Sequence, residues 1–344
     1  MLKWNRNTDW MNHEEEEGMS MGQRKKKGIA ALIFMVLSGI VLTACLYFAD
    51  GRLPWKTDTY RAHRFGATYM TMNNPFYEII DDEIRNVLEA RGDVLITRDP
   101  ALDVEKQIAQ VREMIERRVD GIFINPVDWK SIGPAIEEAA EAGIPIIVVD
   151  SDVYDAQMVS CTVVSDNYQA GVQCAEHLLA EQDGGNILIL THSAAKSGID
   201  RIQGFKDAIA GHGEFHILAE EDCLGQLELA MPVMEKLLKA YPQADVVMCL
   251  NDLAAMGAMA ALKENGQTGQ IAVYGVDGSP DGKSMIKEGI MEASAAQFPR
   301  QIGRAAAETI YEILDGKQTE PVVRIETELI TRENLDQYGN DGWQ

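Results

Sequence analysis

Polar residues that terminate short apolar runs are where this chain could do chemistry. Asp150 ends Pro145-Ile146-Ile147-Val148-Val149, Asn251 and Asp252 end Val246-Val247-Met248-Cys249-Leu250, and Asp277 ends Val273-Tyr274-Gly275-Val276. Asn73-Asn74-Pro75-Phe76-Tyr77 follows another apolar run. Carboxylates and amides form paired hydrogen bonds with vicinal hydroxyls, and rings such as Phe76 and Tyr77 cover the apolar face of a sugar. Arg201, at the start of a helical stretch, offers a rigid fork of donors. Taken singly, Asp and Asn more often cap helices or make turns, and Asp252 reads as the cap of the helix after it. A lone Arg is as readily a surface group. Recurrence at several run ends favours a binding cleft.

Catalytic alternatives are weak. No G-x-S-x-G elbow, Walker A loop or G-x-G-x-x-G fingerprint occurs, and the six histidines are scattered along the chain. His192 ends an apolar run and reads as a rim or hydrogen-bonded histidine rather than a base. The cysteines are Cys45, Cys161, Cys174, Cys223 and Cys249, without C-x-x-C spacing. Those in the folded region read as buried free thiols. A Cys161–Cys174 disulfide is left open. The expectation is a binding protein, not an enzyme, with no metal and no organic cofactor.

The elements that must position these residues alternate regularly. Short Val- and Ile-rich runs at 65–71, 93–97, 121–125, 144–149, 161–165, 186–191, 215–219, 245–250 and 271–276 read as strands buried on both faces. Between them, 103–118, 132–142, 168–181, 200–210, 227–240, 253–265 and 299–315 read as amphipathic helices; Val104, Ile108, Val111 and Ile115 share one face. Sustained alternation means parallel sheets. Nine strands divide best into two α/β lobes, each a doubly wound parallel sheet, with ligand groups at strand C-termini.

The N-terminus adds a membrane element. Arg24-Lys25-Lys26-Lys27 precedes an uncharged run from Ile29 to Phe48. That is the pattern of a signal or a membrane anchor, with the cations on the cytoplasmic side. Leu42-Thr43-Ala44-Cys45 resembles a bacterial lipobox, which makes Cys45 the candidate lipidation site; an uncleaved anchor is the alternative. Either places the folded part at the outer face of the cytoplasmic membrane, in the cell envelope. The net charge of −23 repels phosphate backbones and argues against nucleic acid.

The order and spacing of several motifs resemble the ribose-type (type I) periplasmic sugar-binding proteins, the substrate-binding components of ABC transporters. They are Met72-Asn73-Asn74-Pro75-Phe76-Tyr77, Ile124-Asn125-Pro126, Pro145–Asp150, Ser165-Asp166-Asn167, Arg201-Ile202-Gln203-Gly204-Phe205, Asn251-Asp252, Gly275–Gly278 and Ala296-Gln297. The resemblance covers about residues 64–330. It implies two lobes joined by three hinge crossings, near 165–167, 296–298 and 321–325. It implies ligand contacts at Asn74, Phe76, Tyr77, Asp150, Arg201, Asn251, Asp277 and Gln297. It also implies a sugar or polyol as ligand and an ABC permease as partner of a monomer; a membrane histidine kinase or chemoreceptor is the alternative partner. Ser151 stands where ribose binders carry Arg, and Cys223-Leu224-Gly225 where they place an aromatic. A hexose, a polyol or another modified sugar is therefore as well suited as ribose. The lac-type repressors share the fold, but this chain carries its apolar run in place of their helix-turn-helix.

The expected layout is an extension over 1–23, a signal or anchor over 24–48 and a tether over 49–63. The first lobe takes 64–165 plus 298–322, the second 166–297 plus 323–335, and a tail covers 336–344.

Overall fold

The computed structural model describes residues 21–49, 61–339 and 342–344. Nearly all of the expected extension and tether lie outside the described residues. Helix α1 (Met21–Ala49) contains a stretch, Lys25–Cys45, of mean hydropathy 2.4. It is long and apolar enough to cross a membrane. The folded body is a separate compact unit, Ala62–Gln344.

That body holds two six-stranded sheets. The first contains β1 (Arg64–Thr68), β2 (Val94–Arg98), β3 (Gly121–Ile124), β4 (Ile146–Val149), β5 (Cys161–Ser165) and the late strand β11 (Val322–Ile325). Its order is β11-β5-β4-β3-β1-β2, with every pair parallel. The second contains β6 (Gly185–Thr191), β7 (Phe215–Asp222), β8 (Val246–Cys249), β9 (Ala272–Asp277), β10 (Ala293–Ala296) and β12 (Glu328–Thr331), in the order β12-β10-β9-β8-β6-β7. Strands β1–β5 and β6–β10 thus follow the same path, and each lobe reverses direction beside its first strand. The crevice at such a reversal is where open α/β sheets bind ligands.

Core composition follows from this layering. On the first sheet, Phe65 and Ala67 face one way with Phe123 and Ile147, against α2 (Pro75–Glu89) and α10 (Pro299–Leu314). Ile122, Ile124, Ile146 and Val148 face the other way, against α3 (Val104–Glu116) and α4 (Gly133–Glu141). Strands sandwiched between two helical layers are buried on both sides, which is why they read as unbroken apolar runs. The second sheet is covered by α5 (Asn167–Glu181), α6 (Lys196–Ile209), α7 (Leu227–Ala240), α8 (Asp252–Glu264) and α9 (Pro280–Glu288).

The chain passes between lobes three times: from β5 into α5, from β10 into α10, and from β11 into β12. The third passage falls after Ile325, later than the expected 321–325, because β11 pairs with β5 over its whole length, Val322 to Ile325 opposite Thr162 to Ser165. The second sheet is also not purely parallel, since β12 runs antiparallel to β10. Elements beyond those expected are α2, α9 and β10–β12. The strand β10 reads Ala-Ser-Ala-Ala, which lacks the β-branched signature of a strand. Its small side chains are fully buried instead. Cys161, Cys174, Cys223 and Cys249 are buried free thiols, so no Cys161–Cys174 disulfide forms. Burial pushes the Cys174 thiol up to about 12 and Cys223 to about 11, which leaves them unreactive.

Candidate functional site

Asn74, Phe76, Tyr77, Asp150, Arg201, Asn251, Asp277 and Gln297 all line one cavity between the lobes. Each is at least nine-tenths buried. The first lobe supplies Asn74, Phe76 and Tyr77 from the β1–α2 junction and Asp150 from the end of β4. The second supplies Arg201 from α6, Asn251 from the end of β8 and Asp277 from the end of β9, with Gln297 at the second crossing.

Local backbone explains these placements. Asn74 and Asn251 are N-caps: their side chains accept from Phe76 N (3.0 Å) and Ala254 N (2.9 Å). Capping and lining the cleft are therefore compatible roles. Asp252 is not the cap of α8, contrary to its sequence reading. It lies inside the first turn, buried, and accepts hydrogen bonds from Ser279 N (2.8 Å), Ser279 Oγ (2.7 Å) and Ser294 Oγ (2.7 Å). Asp150 and Asp277 cap nothing. Both hold positive φ, 65° and 132°. Such conformations are costly for non-glycine residues and concentrate at functional sites.

Arg201 is the hub. Its Nε donates to Asn167 Oδ1 (2.8 Å) and its Nη1 to the Leu250 carbonyl (3.1 Å). These bonds lock the guanidinium plane. Its outer nitrogens stand 3.8 Å from Asp150 Oδ1 and 3.8 Å from Asp277 Oδ1. That is attraction without a hydrogen bond. Asp150 Oδ2 is held by Asn125 Nδ2 (3.1 Å) and more loosely by the Tyr77 hydroxyl (3.4 Å). Asp277 Oδ1 accepts from Gln297 Nε2 (2.7 Å). Asp150 Oδ1 and Gln297 Oε1 are buried without a hydrogen-bond partner among the described residues. Buried acceptors of that kind cost about 1–3 kcal/mol each unless something donates to them. A ligand with several hydroxyls would supply the donors.

Burial raises both cleft carboxyls. Asp277 is pushed up to about 8 by burial, opposed by Arg201 and reinforced by Asp252. Asp252 is pushed up to about 6, again chiefly by burial. Asp150 is raised by burial against the pull of Arg201. His192 also lines the cavity, and burial lowers it below the usual imidazole range, which keeps it neutral near pH 7.

The aromatic pair is arranged unequally. Tyr77 stacks on Tyr69 (5.9 Å between centroids) and meets Phe76 edge-on (5.6 Å). The lobes also touch where Trp129 N donates to Ala194 O (3.0 Å) and Ser197 N donates to Ser151 Oγ (3.1 Å). Ser151 thus joins the lobes. Leu224, also lining the cavity, holds a positive φ of 51°. The enclosed space is about 20 Å³. On that measure one water needs ~10–15 Å³, so a sugar ring enters only when the lobes part. Ser197 and Gln226 line the cavity as well. No strand end or repeated motif marked them in the sequence. Asn125 and Asn167 stand one step back, orienting Asp150 and Arg201.

Two doubly wound lobes, three crossings and a buried polar cleft at paired sheet reversals define a hinged binding protein that encloses a small ligand. The chain belongs to the periplasmic binding protein family: the family's domain model matches residues 65–318. The ribose import binding protein of Escherichia coli (strain K12) is 30% identical over 265 residues, covering 76% of this chain and 88% of that protein. A xylitol-binding protein of Mycolicibacterium smegmatis is 30% identical over 305 residues, covering 87% and 84%. The crystal structure of an ABC transporter solute-binding protein from Mycobacterium smegmatis with bound glycerol superposes with a TM-score of 0.78 at 30% identity, covering 82% of this chain and 99% of that one.

Proposed function

We propose that this chain is an extracytoplasmic solute-binding protein that captures a sugar or polyol by hinge closure and hands it to an ABC permease. The reading is carried by the cleft itself. Polar groups from both lobes converge on one enclosed space, and two of its acceptors, Asp150 Oδ1 and Gln297 Oε1, await a donor. A polyhydroxylated ligand bridging the lobes would satisfy them only in the closed arrangement, and so would shift the open–closed balance. Relatives named for ribose and xylitol, and a solved relative with bound glycerol, support the ligand class. They favour delivery over sensing, and binding over turnover. Asn74, Asp150, Arg201, Asn251, Asp277 and Gln297 are the proposed hydrogen-bonding groups, and Phe76 and Tyr77 the proposed ring contacts. The helix α1 or a lipid on Cys45 is the proposed membrane tether.

A thermal-shift screen of the full chain in detergent tests the ligand class, using pentoses, hexoses, xylitol, glycerol, myo-inositol and purine nucleosides. A cognate ligand at 100-fold excess over its Kd raises stability by about 2.7 kcal/mol. Asp150→Ala and Asp277→Ala should each weaken that ligand about fivefold to a hundredfold, since each truncation leaves a buried ligand group unpaired at ~1–3 kcal/mol. No shift with any sugar or polyol would sink the ligand class.

A further inference from the structure

Described residues after β12 make contacts with both lobes. They start on the second lobe, where Leu335 and Tyr338 pack with that lobe's core. The Tyr338 hydroxyl donates to Glu328 Oε2 (2.7 Å). Lys283 of α9, fully buried, donates from Nζ to the carbonyls of Gly342 (2.6 Å) and Tyr338 (3.4 Å). Trp343 then leaves the second lobe and joins the core of the first. Its ring meets Phe76 edge-on at 5.5 Å, tilted by 64°. Phe76 is one of the rings that line the cleft.

Trp343 also walls a second cavity of about 110 Å³ beside the first. The two cavities share Asn74 of one lobe and Asp277 of the other. The tryptophan therefore stands at the flank of the cleft, with one lobe holding the carbonyl of the residue before it and the other packing against its ring. Parting of the lobes separates those two attachments.

We propose that Trp343 is a latch and a positioning residue: anchored to the second lobe through Lys283, it fixes Phe76 over the cleft and stabilises the closed arrangement. The latch rests on the two-lobe binding reading above, but it makes a prediction that needs no ligand. An edge-to-face aromatic pair contributes ~0.5–1.5 kcal/mol beyond its buried area. Its loss should lower the closed-to-open ratio about twofold to tenfold.

The test is a pair of spin labels on the full chain in detergent, at Glu141→Cys on α4 and Glu264→Cys on α8. Both positions are exposed. The background carries Cys45→Ser, since the other native cysteines are buried. Pulsed dipolar spectra without sugar should show a short-distance population that Trp343→Ala depletes and Trp343→Phe largely restores. With the tightest ligand of the screen bound, Trp343→Ala should release it faster by a similar factor. A simple packing role would lower the melting temperature and leave both readouts unchanged. If Trp343→Ala does not fold by circular dichroism, Trp343→Leu keeps the bulk without the ring and carries the same expectation. Unchanged distances and unchanged release in a folded variant overturn the latch. A chain that closes in the latched way yet binds no sugar or polyol overturns the ligand class alone.

Discussion

Asp150 and Asp277 flank a single buried guanidinium, Arg201, and the buried Asp252 feels the same charge. Three carboxyls cannot all ionise there around one cation, and burial holds Asp277 up to about 8. The sign of the resulting pH dependence follows directly. An unfolded Asp titrates near ~3.9, so between about pH 4 and 8 the folded chain binds a proton that the unfolded chain has lost. Stability of the ligand-free protein therefore falls as pH rises through that window, by up to ~1.4 kcal/mol per pH unit for one proton. Asp277→Asn, which keeps the shape and removes the titration, should flatten the curve between pH 5 and 8. Melting temperatures of the two proteins across that range provide the measurement. Parallel curves would show that Asp277 is ionised throughout.

Helix α6 carries Arg201, and its position rests on glycine. A Cβ added at Gly171 of α5 would lie 1.8 Å from the Arg201 carbonyl oxygen, and one at Gly204 of α6 would lie 2.0 Å from the Tyr168 carbonyl oxygen. The two helices touch backbone to backbone at both points. Gly171→Ala should push α6 away from α5. The expected cost is about 1–3 kcal/mol by urea denaturation, typical of overpacking. Because Arg201 rides on α6, ligand affinity should fall as well; a destabilised variant with unaltered affinity would show that Arg201 is held by Asn167 and Leu250 alone. At this scale the sequence was informative where pattern and burial coincide. The helix 103–118 and the strand 161–165 are legible because a 3.6-residue stripe and a β-branched run each demand burial. The helix α2 was hidden behind Asn73-Asn74-Pro75, which reads as a turn, and β10 behind four small residues whose strand role comes only from pairing with β9 and β12.

At the scale of the molecule, membrane attachment and closure meet in one chain. The span Lys25–Cys45 ends at the cysteine of the lipobox-like run, and Cys45 is exposed. If cleavage and lipidation occur there, intact-mass spectra of the membrane-extracted protein should show a chain beginning at Cys45 and carrying acyl groups. Cys45→Ser should then remain uncut. Identical full-length masses for both would assign the tether to α1 instead. In either case the body from Ala62 onward carries the cleft.

The sequence by itself determined the alternation of strands and helices, the two-lobed architecture and the polar strand ends where a ligand would sit. Those properties depend on local periodicity and on polar residues that punctuate apolar runs, so neighbours along the chain suffice to read them. Tertiary structure decided what depends on distant segments meeting. It brings Asp150 and Arg201, 51 positions apart, to 3.8 Å, and makes Asn251 rather than Asp252 the cap of α8. It seats the Ser151 hydroxyl on Ser197, and it lays Trp343 against Phe76 across the whole length of the body. Such contacts are set by the folding of one sheet beside another, and no spacing in the sequence encodes them.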